Sequence, residues 1–242
     1  LGPRSSAAHI RKVVEGHKAK MGSGWPCWAF SNHDVIRAAT RWTNDEKQRD
    51  AFAKMLAALL TTLRGSVCIY QGEELGLPEA DVPYELLQDP YGKQFWPDFK
   101  GRDGCRTPMP WQARKPHGGF TTVEPWLPVP GEHEARAVDE QEAKPDSVLN
   151  HYRTFMAWRN QFPALRDGGI TFLEADEPLM VYVRQKGKEK ILVVINLGGE
   201  EVHFDASELS GTITPLEGHG FASTIKENRV TLPPYAAAFG KL

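Results

Sequence analysis

Apolar residues recur at helical spacing in three stretches of the chain. In the first, SSAAHIRKVVEGHKAKM, Ile10, Val13, Val14 and His17 fall three or four apart and Ser5 or Ser6 is available as a cap, which predicts an amphipathic helix. The second is longer. After Thr43 and Glu46, spaced as a capping box, Phe52, Met55, Leu56, Leu59, Leu60 and Leu63 form one stripe that ends at Gly65. In the third, SVLNHYRTFMAWRNQFPAL, Leu149, Tyr152, Phe155, Met156 and Phe162 lie along one side and Pro163 closes the run. Two short apolar runs, WPCWAFS and SVCIYQG, follow the first and second helices and read as strands buried on both faces. This alternation predicts parallel βα repeats.

Residues 72 to 146 break the pattern. They are rich in Pro, Gly and charge, with no long periodic segment, and read as an extended excursion of the kind that carries function. From Gly168 the period drops to two. ITFLEA, LMVYVRQ, KILVVINL, EVHFDA, TITPL, RVTLP and AAAFGKL are short runs separated by turn residues, which predicts an antiparallel β module with its boundary near Leu165.

Composition narrows the setting. A chain of 242 residues, 40% apolar and 25% charged, has room for one large domain or a domain plus a small module. The net charge of -2 is spread without a basic stripe, and no apolar run approaches the ~18 residues of a membrane span, so neither nucleic acid nor membrane is an expected partner. Three cysteines without a CxxC pair suit a reducing, cytoplasmic setting. Cys27 and Cys68 read as small strand hydrophobes and Cys105 as a loop thiol. No cofactor and no metal are expected.

The candidate chemistry lies in AFSNHDV, where Asn32, His33 and Asp34 follow an apolar run. An unpaired carboxylate is costly to bury, so the triplet either caps the strand and turns the chain or performs chemistry. Taken with YQGEELGL, GRDGCRTPMPW and LPPYAAAF in that order, it resembles the C-terminal part of glycoside hydrolase family 13, the α-amylase family, and within it the α-glucosidases and oligo-α-glucosidases. The resemblance implies an α/β fold: the C-terminal portion of a (β/α)8 barrel, with its active site at the C-terminal strand ends, followed by a small antiparallel β-sandwich. Residues 1–165 would hold about strands 7 and 8, the long loop and helix 8. Residues 166–242 would form the β domain.

The resemblance also implies roles. Asp34 is similar to the family's third catalytic carboxylate, which steadies positive charge growing on the sugar ring. His33 resembles its hydroxyl-binding neighbour. Arg102 matches the arginine at the closed end of the pocket, where a guanidinium fork grips a hydroxyl and pairs with a carboxylate upstream, although Arg102 or Arg106 could instead brace the Asp103–Gly104 turn. Arg37, one turn past Asp34, is a further candidate for the substrate-binding set, orienting that carboxylate or packing its loop. Glu73 and Glu74, after Gly72, read as caps. Phe95, Trp96 and Phe99 could stack on a sugar but read rather as the loop's own small core.

One departure bears on function. Retaining glycosidases use two carboxylates about 5 Å apart, and no stretch here resembles the Gly-Phe-Arg-x-Asp pattern of the family nucleophile or its acid glutamate. The expectation is a C-terminal fragment of an α-glucoside hydrolase of about twice the length, inactive alone, whose partners are its substrate and the N-terminal remainder of the same barrel. A transglucosylase of the same family and a non-catalytic binding or scaffold relative are the alternatives.

Overall fold

The structure, a computed structural model, describes residues 6–43, 45–209 and 211–242. Contacts gather into two compact units. One holds residues up to Trp28, Ala51–Cys68 and His151–Leu242, and the other Ala29–Asp50 and Ile69–Asn150.

In the first unit the helix Ala7–Met21 begins at Ser6, whose hydroxyl accepts the His9 N–H at 3.1 Å; the alternative cap, Ser5, lies outside the described residues. It buries Ala7, Ile10 and Val14 and leaves Val13 and His17 exposed, so the apolar face is one row narrower than the spacing predicts. Its positive end is closed by an anion: the Glu177 carboxylate accepts the N–H groups of Ala7 (3.1 Å) and Ala8 (2.9 Å). Arg11, one turn on, reaches Glu174 at 2.8 Å and the Leu173 carbonyl at 3.3 Å.

The helix Arg49–Thr62 and the residue after it bury the whole stripe from Phe52 to Leu63, as the spacing predicts. Its entry differs. Asp45, not Thr43, caps a short 3-10 turn at Glu46–Gln48 by accepting the Lys47 N–H at 2.9 Å, because the carboxylate sits two residues from that donor.

β1 (Cys27–Trp28) and β2 (Ser66–Val67) pair in parallel, as βα repeats require. They are not buried on both faces. Each is two residues long, and Cys27, Ser66 and Cys68 are exposed, because burial of both faces needs flanking strands and covering layers that a two-stranded pair lacks. Among the described residues no closed barrel is formed.

The β module comprises β3 (Gly169–Phe172), β4 (Leu179–Lys186), β5 (Glu189–Asn196), β6 (Val202–Asp205), β7 (Thr214–Pro215), β8 (Thr224–Lys226), β9 (Arg229–Leu232) and β10 (Ala237–Lys241). They form antiparallel sheets of order β3-β4-β5-β10-β7 and β6-β9-β8. Val181, Leu192, Val194 and Ala238 of one sheet meet Val230 and Leu232 of the other in a shared core. The opposite face of β4 and β5, with Met180, Tyr182, Val193 and Ile195, is buried too. KILVVINL is therefore almost continuously apolar instead of alternating. β8 was not predicted by the alternation; it pairs with β9 through Glu227 and Asn228, both at positive φ, the geometry of a tight hairpin turn.

On that second face Arg184 is fully buried. Its guanidinium donates to the carbonyls of Thr62, Leu165 (3.1 Å) and Gly168 (2.9 Å), and its Nε to Gly169 (3.1 Å). Thr62 ends one helix, and Leu165 and Gly168 belong to the end of another, Pro163–Asp167, so the cation sits where two helix dipoles are negative.

In the same unit His151 and His219 lie in an aromatic cluster with Phe155, Trp158, Phe221 and Phe239. Burial pushes both imidazoles down to about 4. The second unit's His133 is lowered to about 4 for the same reason, its Nε2 lying 2.9 Å from the Pro78 carbonyl. Unfolded histidines protonate near 6.5. Stability present above pH 6.5 is thus lost as the pH falls toward 4, because the unfolded chain takes up protons that the folded one refuses. Unfolding stability is expected to drop between pH 6.5 and 4.5 by roughly 2 kcal/mol for each of the three imidazoles, and His219→Phe should flatten that slope. A slope unchanged by the substitution would place the acid sensitivity elsewhere.

In the second unit the excursion packs on small cores: Leu75, Leu77, Met109 and Leu149 in one, Val82, Leu87 and Leu127 in another. Phe95, Trp96 and Phe99 do not form such a core. They are exposed, with Phe95 stacked on Tyr91 and Trp96 tilted against Tyr84. A short helix, Pro90–Gln94, is too brief to turn all of these rings inward. Among the described residues no helix is long and apolar enough to cross a membrane.

Candidate active site

The polar triplet is shaped by its own first member. Asn32 Oδ1 accepts the Asp34 N–H at 2.8 Å, an Asx turn, and Ser31 Oγ accepts the Ala38 N–H at 2.9 Å, which starts the next helical turn. The bland reading of the triplet is therefore right about the backbone. It leaves the side chains of His33 and Asp34 in solvent, with the Asp34 side chain 49% exposed.

Asp34 is nonetheless held. Its Oδ1 accepts Arg102 Nη1 and Arg106 Nη2, both at 3.0 Å, and its Oδ2 lies 3.4 Å from His33 Nε2. Arg106 is itself steadied by the His33 carbonyl, to which its Nε donates at 2.7 Å. The structure thus brings His33, Asp34 and Arg102 together and adds Arg106, which the sequence leaves as a possible turn brace.

Arg102 has its carboxylate within its own loop. Asp89, almost fully buried, takes Arg102 Nε at 2.8 Å on Oδ2 and Nη2 at 3.0 Å on Oδ1, a bidentate fork. The same carboxylate accepts the backbone N–H of Arg102 (2.8 Å) and of Tyr91 (3.2 Å), the latter capping the helix Pro90–Gln94. The Arg102 side chain holds Asp89 down to about 2, and Asp89 in turn raises Arg102 above its usual value. Asp103, fully buried, anchors the stretch by accepting the Gln88 and Asp89 N–H groups at 2.6 and 2.8 Å.

Arg37 is a different case. It is buried and does not reach Asp34; its guanidinium donates to the carbonyls of Gln71 (2.8 Å) and Cys105 (3.1 Å), and its N–H to Glu79 (2.8 Å). Of the two readings the loop brace is the one seen. Arg37 precedes the short helix Ala38–Arg41 with an extended backbone (φ -52°, ψ 136°), and its side chain points onto the turn where a β-carbon on Gly72, at φ 92°, would lie 2.7 Å from Arg37 Nη1. Glu79 is partly buried there, its carboxyl pushed up to about 7 by desolvation. A side chain at Gly104 would run into the Glu79 carboxyl and the Ala80 carbonyl. Glu73 and Glu74 cap as expected, accepting the Tyr70 and Gly72 N–H groups at 3.0 and 2.7 Å.

Cys105 is buried, its thiol raised to about 11 by burial, whereas Cys27 and Cys68 are exposed, the reverse of the sequence expectation. Among the described residues no group of three His, Cys, Asp or Glu could hold a metal ion. What the arrangement offers is a solvent-facing carboxylate, fixed by two guanidiniums on one oxygen and set beside an exposed imidazole on the other. It can accept a hydroxyl hydrogen bond and face a positive charge.

Parallel βα elements, a loop-borne carboxylate–arginine cluster and a C-terminal antiparallel module define the parts of a barrel enzyme of the glycosidase class. Residues 5–168 match the model of the α-amylase catalytic domain and residues 170–238 that of the maltogenic amylase C-terminal domain. The chain belongs to the α-amylase family. It is 50% identical over 240 residues to a probable α-glucosidase of Rhizobium meliloti, covering 99% of this chain and 43% of that protein. It is 35% identical to an oligo-1,6-glucosidase of Heyndrickxia coagulans over 76% of this chain and 36% of that one. Among solved structures, an α-glucosyl transfer enzyme superposes with a TM-score of 0.94 at 45% identity, over 100% of this chain and 44% of that one. The isomaltulose synthase of Erwinia rhapontici NX5 gives 0.84 at 29%, over 98% and 46%. The chain spans under half the length of these relatives.

Proposed function

We propose that this chain is the C-terminal part of a retaining hydrolase of α-glucosidic bonds in small oligosaccharides, and that Asp34 is its transition-state carboxylate. The observation that carries this reading is the fixing of a half-exposed Asp34 by Arg102 and Arg106, both from the GRDGCRTPMPW segment. A turn-forming aspartate needs no such clamp. With one oxygen held, the other is presented to a sugar hydroxyl and to the positive charge that grows at the ring as the bond breaks. His33 donates to a hydroxyl of the same sugar, and Arg102 meets the sugar through Nη1, the end of its fork that Asp89 leaves open. A scaffold relative would have no use for the exposed His33–Asp34 pair.

The nucleophile and the acid belong, on this proposal, to an N-terminal remainder of the barrel, and the domain division falls at residues 165/166. The three free thiols suit a cytoplasmic setting. The test uses a chromogenic α-glucoside. Full-length protein should turn it over with retained anomeric configuration, and the 242-residue chain should stay at background. Turnover by the chain itself, or inversion by the whole protein, would sink the reading. A transglucosylase is the second reading, favoured by the whole-chain match to an α-glucosyl transfer enzyme. It expects glucosyl products to accumulate when a sugar acceptor is added, where a hydrolase releases glucose.

A further inference from the structure

Two guanidiniums against one carboxylate make a poor environment for a ring that is becoming positive. At the Asp34 cluster this problem has a visible answer. Asp89 lies behind Arg102, shielded from solvent, and takes both donors of the Nε–Nη2 edge, leaving Nη1 to Asp34. The geometry points to Asp89 as a positioning residue for Asp34: it aims Arg102 and cancels its charge, so that the cluster presents Asp34 to a cationic ring without net positive charge.

This rests on the reading of Asp34 given above and adds to it a second, buried carboxylate that never meets the substrate. The Tyr91 and Arg102 N–H groups fix Asp89 from the backbone, and Asp103 fixes the N–H of Asp89 in turn. Arg102 Cζ lies over the Tyr91 ring, 5.5 Å from its centroid. Hydrogen bonds from Arg102 hold Asp89 low, to about 2, so it stays charged across any working pH. Arg106 is left as the single uncompensated cation, and Asp34 balances it.

The proposal is tested in full-length protein by comparing inhibition by a protonated iminosugar of glucose configuration with inhibition by glucose. The two fill the same space and differ in charge, so the ratio of their affinities reads the field and not the shape of the pocket. Asp89→Asn keeps the side chain's size and its backbone bonds on one oxygen, and should lower that ratio roughly tenfold, as expected for one unit charge added a few ångströms away. Arg102→Gln, which leaves the balancing carboxylate behind, should move the ratio in the opposite direction, and this arm stands if Asp89→Asn does not fold. A ratio unmoved by Asp89→Asn, or lowered by Arg102→Gln, overturns the proposal. Asp34→Asn is the control on the reading beneath it. If that substitution leaves the ratio unchanged, Asp34 itself is misassigned; if it lowers the ratio while Asp89→Asn does not, only the role of Asp89 falls.

Discussion

Asp34→Asn in the full-length protein is expected to lower kcat by at least ~10²-fold, on the order of 3 kcal/mol, while KM moves by no more than about threefold. Asparagine keeps the shape and a hydrogen-bonding oxygen, so neutral substrate loses little. The charge is lost where it matters, in the transition state. Stability should hardly change, because an exposed ion pair contributes only about 0–1 kcal/mol and both arginines keep other partners: Arg102 on Asp89, Arg106 on the His33 carbonyl. His33→Ala should act more evenly on KM and kcat, since a hydroxyl contact exists before the bond breaks. The measurement is steady-state kinetics beside a denaturation curve. Unfolding by Asp34→Asn with full activity in the surviving folded fraction would make the triplet a strand cap after all.

Arg184→Met should destabilise the chain by about 3–5 kcal/mol, because four backbone carbonyls lose their donor together. Methionine fills much of the volume and leaves the carbonyls of Thr62, Leu165, Gly168 and Gly169 without the donors they have now. Each buried carbonyl left unpaired costs about 1–3 kcal/mol, offset in part because a desolvated cation is also gone. The burden on that cation is real: burial pulls Arg184 down to about 10. The urea midpoint is the readout, with the slope unchanged if the native fold survives. A loss under about 1 kcal/mol would mean that water replaces the guanidinium.

What could be read in advance followed local periodicity. The stripe from Phe52 to Leu63 carries its own burial, since 3.6-residue spacing of leucines decides which face turns in. The parallel pairing of β1 with β2 and the antiparallel module followed from element order and run length. The site was legible only through motif resemblance, and only in part. Asp89 stands 13 residues from Arg102, and Arg106 stands 72 from Asp34, separations across which no spacing rule speaks. Asp89 caps the helix Pro90–Gln94, and no local pattern around it announces the arginine. Arg37 failed for the converse reason. Proximity in sequence to Asp34 suggested a shared task, but the extended backbone at Arg37 sends its side chain inward. The aromatic residues 95, 96 and 99 were expected to close on one another, and the short helix there could not turn them.

The carboxylate of Glu177 at the start of the helix Ala7–Met21 sets a rule for anyone recombining this protein with its relatives. A crossover placed at Gly168 looks clean along the chain, since it falls between the helix Pro163–Asp167 and the β module. In space it cuts three attachments at once: Glu177 to the first helix turn, and Glu174 and the Leu173 carbonyl to Arg11. A hybrid carrying a foreign β module would have to bring an acidic residue to the same spot, or import residues 6–21 along with it. Segments some 170 positions apart in the chain are inherited as one piece.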